Sequence, residues 1–186
     1  MKTSYTLNVA GLERDLPLCK LNDNLKIAAF ILFGDVELTA TCASELLKIA
    51  PEHDIIITSE SKGIPLAFEM AKQSGNNSYI VARKSKKLYM NNVFSSDVVS
   101  ITTAGQQTLY LDGADAANMN GKRILIVDDV ISTGESLKAI ENLVTSAGGV
   151  IVGKMAVLAE GAAKNRDDIL FLAPLPLFDK NGEAIN

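Results

Sequence analysis

The run Ile124, Leu125, Ile126, Val127 constrains the fold more than any other stretch of the chain. Continuous apolar side chains without alternation need burial on both faces, the condition of an interior strand in a parallel sheet covered by helices. Asp128 and Asp129 follow at once, then the small-residue turn VISTGES and a helical pattern. A buried strand is expected to end where it meets solvent. The two carboxylates are therefore placed at its carboxyl end, the edge at which open α/β sheets bind ligands.

Other segments agree with that architecture. Tyr5 to Val9 alternates as a strand, and residues 11–17, GLERDLP, are read as a break after it. The spacing predicts a helix over 35–49 with Asp35 as N-cap, a buried strand at DIIIT (54–58), and a helix ended by Gly75. Residues 78–82, SYIVA, form a third core strand; a helix over 135–147 and a strand over 150–158 complete a βαβ unit. Residues 83–96 break the rhythm, beginning with Arg83, Lys84, Lys86 and Lys87, and read as a long excursion. Two half-exposed strands, VVSITT and QQTLYLD, would follow, joined at Ala104-Gly105. LAPLPLF near the carboxyl end reads as a closing strand and tail. The fold class expected is α/β: a mainly parallel twisted sheet flanked by helices, with an antiparallel flap. A chain of 186 residues is read as one domain over 1–186.

Composition narrows the functional classes. Hydrophobic residues at 47% and charged residues at 22% suit a globular chain. A net charge of -4 gives no broad footprint for nucleic acid, so any anion must be gripped locally. The longest apolar run, Ile27 to Phe33, is too short to span a membrane, and no signal segment opens the chain. No nucleic acid, no membrane and a cytoplasmic location are the expectations. Cys19 and Cys42 lack CxxC spacing and read as reduced, packed thiols, and His53 alone cannot support a zinc site.

The loop after the acids carries the chemistry. A turn of small residues entering a helix leaves backbone N–H groups unpaired at the positive end of the helix dipole, which suits a phosphate. Ser132, Thr133 and Ser136 add hydroxyls, and Gly134 lets the backbone approach closely. Asp128 and Asp129 would repel that phosphate and must face hydroxyl groups or a cation. A sugar phosphate meets both demands. The segment is neither GxGxxG nor GxxxxGK[ST], and too few residues follow it for a receiver domain.

ILIVDDVISTGES resembles the phosphoribosyl pyrophosphate (PRPP) signature of the type I phosphoribosyltransferases. By that resemblance Asp128 and Asp129 hold the ribose hydroxyls, and Ser132, Thr133, Gly134, Glu135 and Ser136 wrap the 5-phosphate. Glu135 departs from the commoner glycine, so its side chain is expected to point away from the phosphate. TSESKG (58–63) resembles the diphosphate loop, with Ser61, Lys62 and Gly63 as diphosphate contacts and a cis peptide expected at Ser61-Lys62. Arg83, Lys84 and Lys87 resemble the RKxxK stretch of adenine-type members. Lys87 joins Asp128 and Asp129 as a catalytic candidate, and residues 83–111 become the flexible flap. Residues 1–30 resemble the hood over the purine, with Arg14, Leu21, Leu25 and, from the acidic loop, Val130 as purine contacts.

The resemblance implies transfer from PRPP to a purine, adenine first and hypoxanthine, guanine or xanthine as alternatives. It also implies Mg²⁺ carried mainly by PRPP without a direct protein ligand, and a homodimer. The flap strand lacks the glutamate of adenine enzymes. A PRPP-sensing regulator and a partner-dependent subunit with a decayed site are the readings from other classes.

Overall fold

The computed structural model describes residues 2–98 and 107–185. In chain order the strands and helices are β1 (Ser4–Val9), β2 (Leu12–Lys20), β3 (Leu25–Ala28), α1 (Val36–Ile49), β4 (Ile55–Ser59), α2 (Ile64–Gln73) and β5 (Ile80–Ala82). They continue with β6 (Phe94–Val98), β7 (Gln107–Leu111), α3 (Gly113–Met119), β8 (Arg123–Ile131), α4 (Glu135–Ser146) and β9 (Val150–Glu160). A 3₁₀ turn (Gly161–Asn165) leads to β10 (Leu170–Leu175), β11 (Leu177–Asp179) and β12 (Ala184–Ile185).

The central sheet has the order β10-β9-β8-β4-β5, and every pairing in it is parallel. Its continuous apolar strands divide between two cores because side chains alternate across a sheet. Ile56, Leu125 and Val127 pack with Leu46 of α1 and Met70 of α2. Ile57, Ile124 and Ile126 pack on the opposite face with Ile140 of α4 and Met119 of α3. Helix α1 starts as its sequence predicts, with the Asp35 carboxylate accepting from the Leu38 N–H at 3.0 Å.

A second sheet, β1-β2-β3-β11-β12, is antiparallel and uses both chain ends. Here the expected break at 11–17 is corrected: all but Gly11 belongs to β2. Ala10 and Gly11 both take positive φ and make a two-residue hairpin turn, after which the chain alternates in burial. Pro17 is tolerated because it pairs with Ser4 at the very end of the β1 ladder, before the β3 ladder starts at Leu18.

Three further differences bear on the site. Strand β8 does not stop at Val127: Asp128, Val130 and Ile131 stay in register with Ala156, Leu158 and Ala159 of β9. Only the β4 side opens, since that pairing ends at Ile126. Helix α3, only seven residues long and thus marginal alone, was not expected; burial of Ala116 and Met119 holds it. Within the excursion, β6 runs antiparallel to β7 from Phe94↔Leu111 to Val98↔Gln107. The Ala104-Gly105 turn and most of VVSITT lie outside the described residues. LAPLPLF supplies β10 and then crosses into the second sheet as β11. Cys42 is buried, which pushes its thiol up to about 12; Cys19 is exposed, and both are free.

Candidate active site

The acids of β8 lie inside the sheet edge, not in solvent. Asp129 is 4% exposed, and its Oδ2 is 2.9 Å from Lys62 Nζ. Asp128 Oδ1 accepts from the Asp129 N–H at 2.9 Å, and Oδ2 accepts from Ser59 Oγ at 3.4 Å. Desolvation raises the Asp128 pKa, and the neighbouring Asp129 charge raises it further; the Asp129 N–H and Lys62 oppose this. Asp128 therefore resists ionisation more than an ordinary aspartate.

The loop after β4 packs directly on these acids. A Cβ on Gly63 would stand 2.3 Å from Thr58 Oγ1 and 2.8 Å from Asp128 Oδ1, so only glycine fits. The cis peptide of this loop lies at Glu60-Ser61, one bond before the expected Ser61-Lys62. The Glu60 N–H still bonds Ala82 O at 2.8 Å, so the sheet hydrogen bonding reaches Glu60 and the turn begins immediately after it. Glu60 is a site residue that sequence reasoning missed. Its carboxylate accepts from the Lys84 N–H at 2.9 Å and pairs with Arg83 Nη2 at 3.2 Å. Those contacts, led by the Lys84 N–H, hold its pKa below the usual range. Lys87 adds to the same field, with its Nζ on Ser85 Oγ at 2.7 Å.

On the other side, Ser132 to Ser136 line one cavity together with Asp128 and Val130. Gly134 has φ +83°, and a Cβ there would meet Arg166 Nη1 at 2.4 Å. Arg166 is itself held by Asp168, which pairs with Lys154, which pairs with Glu141 of α4 at 2.9 Å. Glu135 occupies the first turn of α4, where a negative charge complements the helix dipole.

A second cavity, of about 360 Å³, adjoins the first through Val130 and Ser132. It lies between residues 27–31, the end of β3 and the segment after it, and Val130, Leu175, Lys62 and Glu160. Its size is within the range of small-molecule sites. Of the residues expected at the purine, Val130 lines it. Arg14 does not: its guanidinium is engaged by Asp35 at 2.7 Å and Glu37 at 2.7 Å. Leu21 is an exposed turn residue, and Leu25 lines a separate groove. Residues 27–31 and Glu160 were missed. Glu160 ends a core strand at the same sheet edge as the two aspartates, a signal the sequence carried.

Comparison with known proteins agrees with this geometry. The phosphoribosyl transferase domain matches residues 37–173. The adenine phosphoribosyltransferase of Rhodococcus jostii is 32% identical over 136 residues, covering 73% of this chain and 74% of that protein. The hypoxanthine/guanine phosphoribosyltransferase of Methanothermococcus okinawensis is 33% identical over 129 residues, covering 69% and 66%. The adenine phosphoribosyltransferase structure from Leishmania tarentolae shares the fold, with a TM-score of 0.65 at 15% identity, over 93% of this chain and 84% of that one. The domain match over residues 37–173 spans the acidic strand and the helix-entry loop, and the chain belongs to the phosphoribosyl transferase domain family.

Proposed function

We propose that this protein transfers the 5-phosphoribosyl group of PRPP to a purine nitrogen, adenine foremost, giving a nucleoside monophosphate and diphosphate. The observation that carries the reading is the Asp128-Asp129 pair, Asp129 buried and Asp128 half-buried, set between the loop at 132–136 and Lys62. The loop takes the 5-phosphate on backbone N–H groups and on the hydroxyls of Ser132, Thr133 and Ser136. Asp128 and Asp129 accept from the ribose hydroxyls and favour positive charge growing on the ring at the anomeric carbon. Ser61, Lys62, Gly63, Arg83, Lys84 and Lys87 face the departing diphosphate; Arg83 and Lys84 exchange their contacts with Glu60 for it. No protein nucleophile is needed.

Among the described residues no three His, Cys, Asp or Glu side chains gather as a metal site. The acidic pair still suits a sugar whose own oxygens carry Mg²⁺. Asp128 and Asp129 would hold that sugar, and the ion when bound supplies charge neutralisation at the leaving diphosphate. Residues 1–30 act as hood and residues 83–111 as flap within one domain, in this reading. A homodimer is part of this reading, as the resemblance of the acidic strand and loop implies. A cytoplasmic location belongs to the same proposal; none of the described helices is long and apolar enough to cross a membrane.

Diphosphate release from PRPP, assayed with adenine, hypoxanthine, guanine and xanthine in turn, tests the reading. Release with adenine is expected, and release with hypoxanthine or guanine alone would move the assignment toward the second class of relatives. PRPP binding without release for any base would replace transfer with ligand sensing. Asp129→Asn should lower turnover by about 100-fold or more while the melting temperature stays close to wild type. Loss of stability in step with rate would undo the assigned role.

A further inference from the structure

Glu160 lines the second cavity. It is the last residue of β9 and the N-cap position of the 3₁₀ turn, yet its side chain makes no capping bond. It has no hydrogen-bond or ion-pair partner among the described residues, although it is half-buried. An acid at an N-cap position ordinarily satisfies itself on the turn it caps, whereas this half-buried carboxylate is left to the cavity. Here the carboxylate shares the second cavity with the apolar side chains of Phe30, Val130 and Leu175. Across the same cavity lies Lys62, which already serves Asp129. Burial, and secondarily the Asp129 charge, raise the Glu160 pKa, with Lys62 opposing. A strong acceptor held in an apolar slot beside the phosphoribosyl site fits a flat heterocycle with an N–H at its edge.

We propose that Glu160 is the specificity-determining acceptor of the base subsite: its carboxylate takes a hydrogen bond from the 6-amino group of the incoming purine, favouring a 6-aminopurine over a 6-oxopurine. The inference rests on the transfer reading. Adenine presents an amino donor at position 6, where a 6-oxopurine presents a carbonyl oxygen that a carboxylate facing that position repels. The acid comes from the end of β9, outside the flap, so it is in place before any closure.

The test uses the full chain and the variants Glu160→Gln and Glu160→Ala. For each, the KM for adenine, kcat, PRPP affinity by calorimetry and melting temperature are measured, with hypoxanthine as the second base. A hydrogen bond to a charged group corresponds to a change of about 10- to 100-fold. Glu160→Gln should therefore raise the adenine KM by about that factor, with PRPP affinity within about twofold of wild type. The ratio of kcat/KM for adenine over hypoxanthine should fall by about tenfold, since an amide can donate to the carbonyl. Glu160→Ala should raise the adenine KM at least as far. If the variants melt like wild type and keep its adenine KM and base ratio, the proposal is overturned while transfer stands. Wild-type protein that releases no diphosphate with any base would overturn the transfer reading and this proposal together.

Discussion

Burial at Asp128, with the Asp129 charge beside it, raises its pKa above the 3.8 of an ordinary aspartate. From that unfolded value up to the raised folded one, the native state binds more protons than the unfolded chain. The contribution of Asp128 to stability is thus fully present below the unfolded pKa and is lost as pH rises through the folded pKa. Asp128→Asn should flatten this decline, so that at pH 8 the variant melts at or above wild type while transfer falls by about 100-fold or more. A lower melting temperature at pH 8 would contradict the sign. Gly63 is fixed by space: φ is unremarkable, but Thr58 Oγ1 and Asp128 Oδ1 occupy the position of a Cβ. Gly63→Ala should cost about 1–3 kcal/mol in denaturant unfolding and weaken PRPP binding, because the diphosphate loop must lift off the acids.

At the scale of elements, the helix-entry loop is braced from outside its own sequence. Arg166 sits against Gly134 and is tied through Asp168 and Lys154 to Glu141, two turns into α4. These charges place the amino end of α4 relative to β9 without entering the cavity that Ser132 to Ser136 line. Arg166→Ala should raise the KM for PRPP by about tenfold, with kcat changed less and Arg166→Lys recovering part of the loss. Equal KM values for wild type and Arg166→Ala would refute the brace. Helix α1 has the simpler dependence: Asp35 both caps it and receives Arg14 from β2. Asp35→Ala should cost about 1–2 kcal/mol by denaturant unfolding from loss of the cap, more if the exposed-side ion pair contributes.

Across the whole molecule, the amino-terminal sheet is completed by the carboxyl end of the chain. Phe178 of β11 is 2% exposed, and its ring centroid lies 5.1 Å from that of Tyr5 in β1. The same sheet carries β3, whose end and continuation, residues 27–31, form one wall of the second cavity. A tail without chemistry of its own therefore supports one wall of the second cavity. Phe178→Ala should destabilise the protein by about 3–5 kcal/mol. It should also raise the KM for the purine more than that for PRPP, read from the same diphosphate assay.

The parallel sheet was legible in the sequence because burial on two faces is written into single strands, as at Ile124 to Val127 and Ile55 to Ile57. Asp35 as a cap and Gly75 as a stop were legible for a similar reason: each acts on its immediate neighbours. So was the adjacency of Asp128 and Asp129 to Ser132 to Ser136, since consecutive residues cannot be far apart. Hairpin β1-β2 was misread because Ala10, a poor candidate for positive φ, makes the turn with Gly11. The extent of β8 was misread because its last pairs depend on β9, which continues after β4 has left the ladder. Tertiary structure alone decided that Lys62 meets Asp129, that Gly63 presses on Asp128, and that Glu160 and residues 27–31 close one cavity. Those contacts join ends of different strands, and their positions are set by sheet order and crossover packing, which no local pattern of residues encodes.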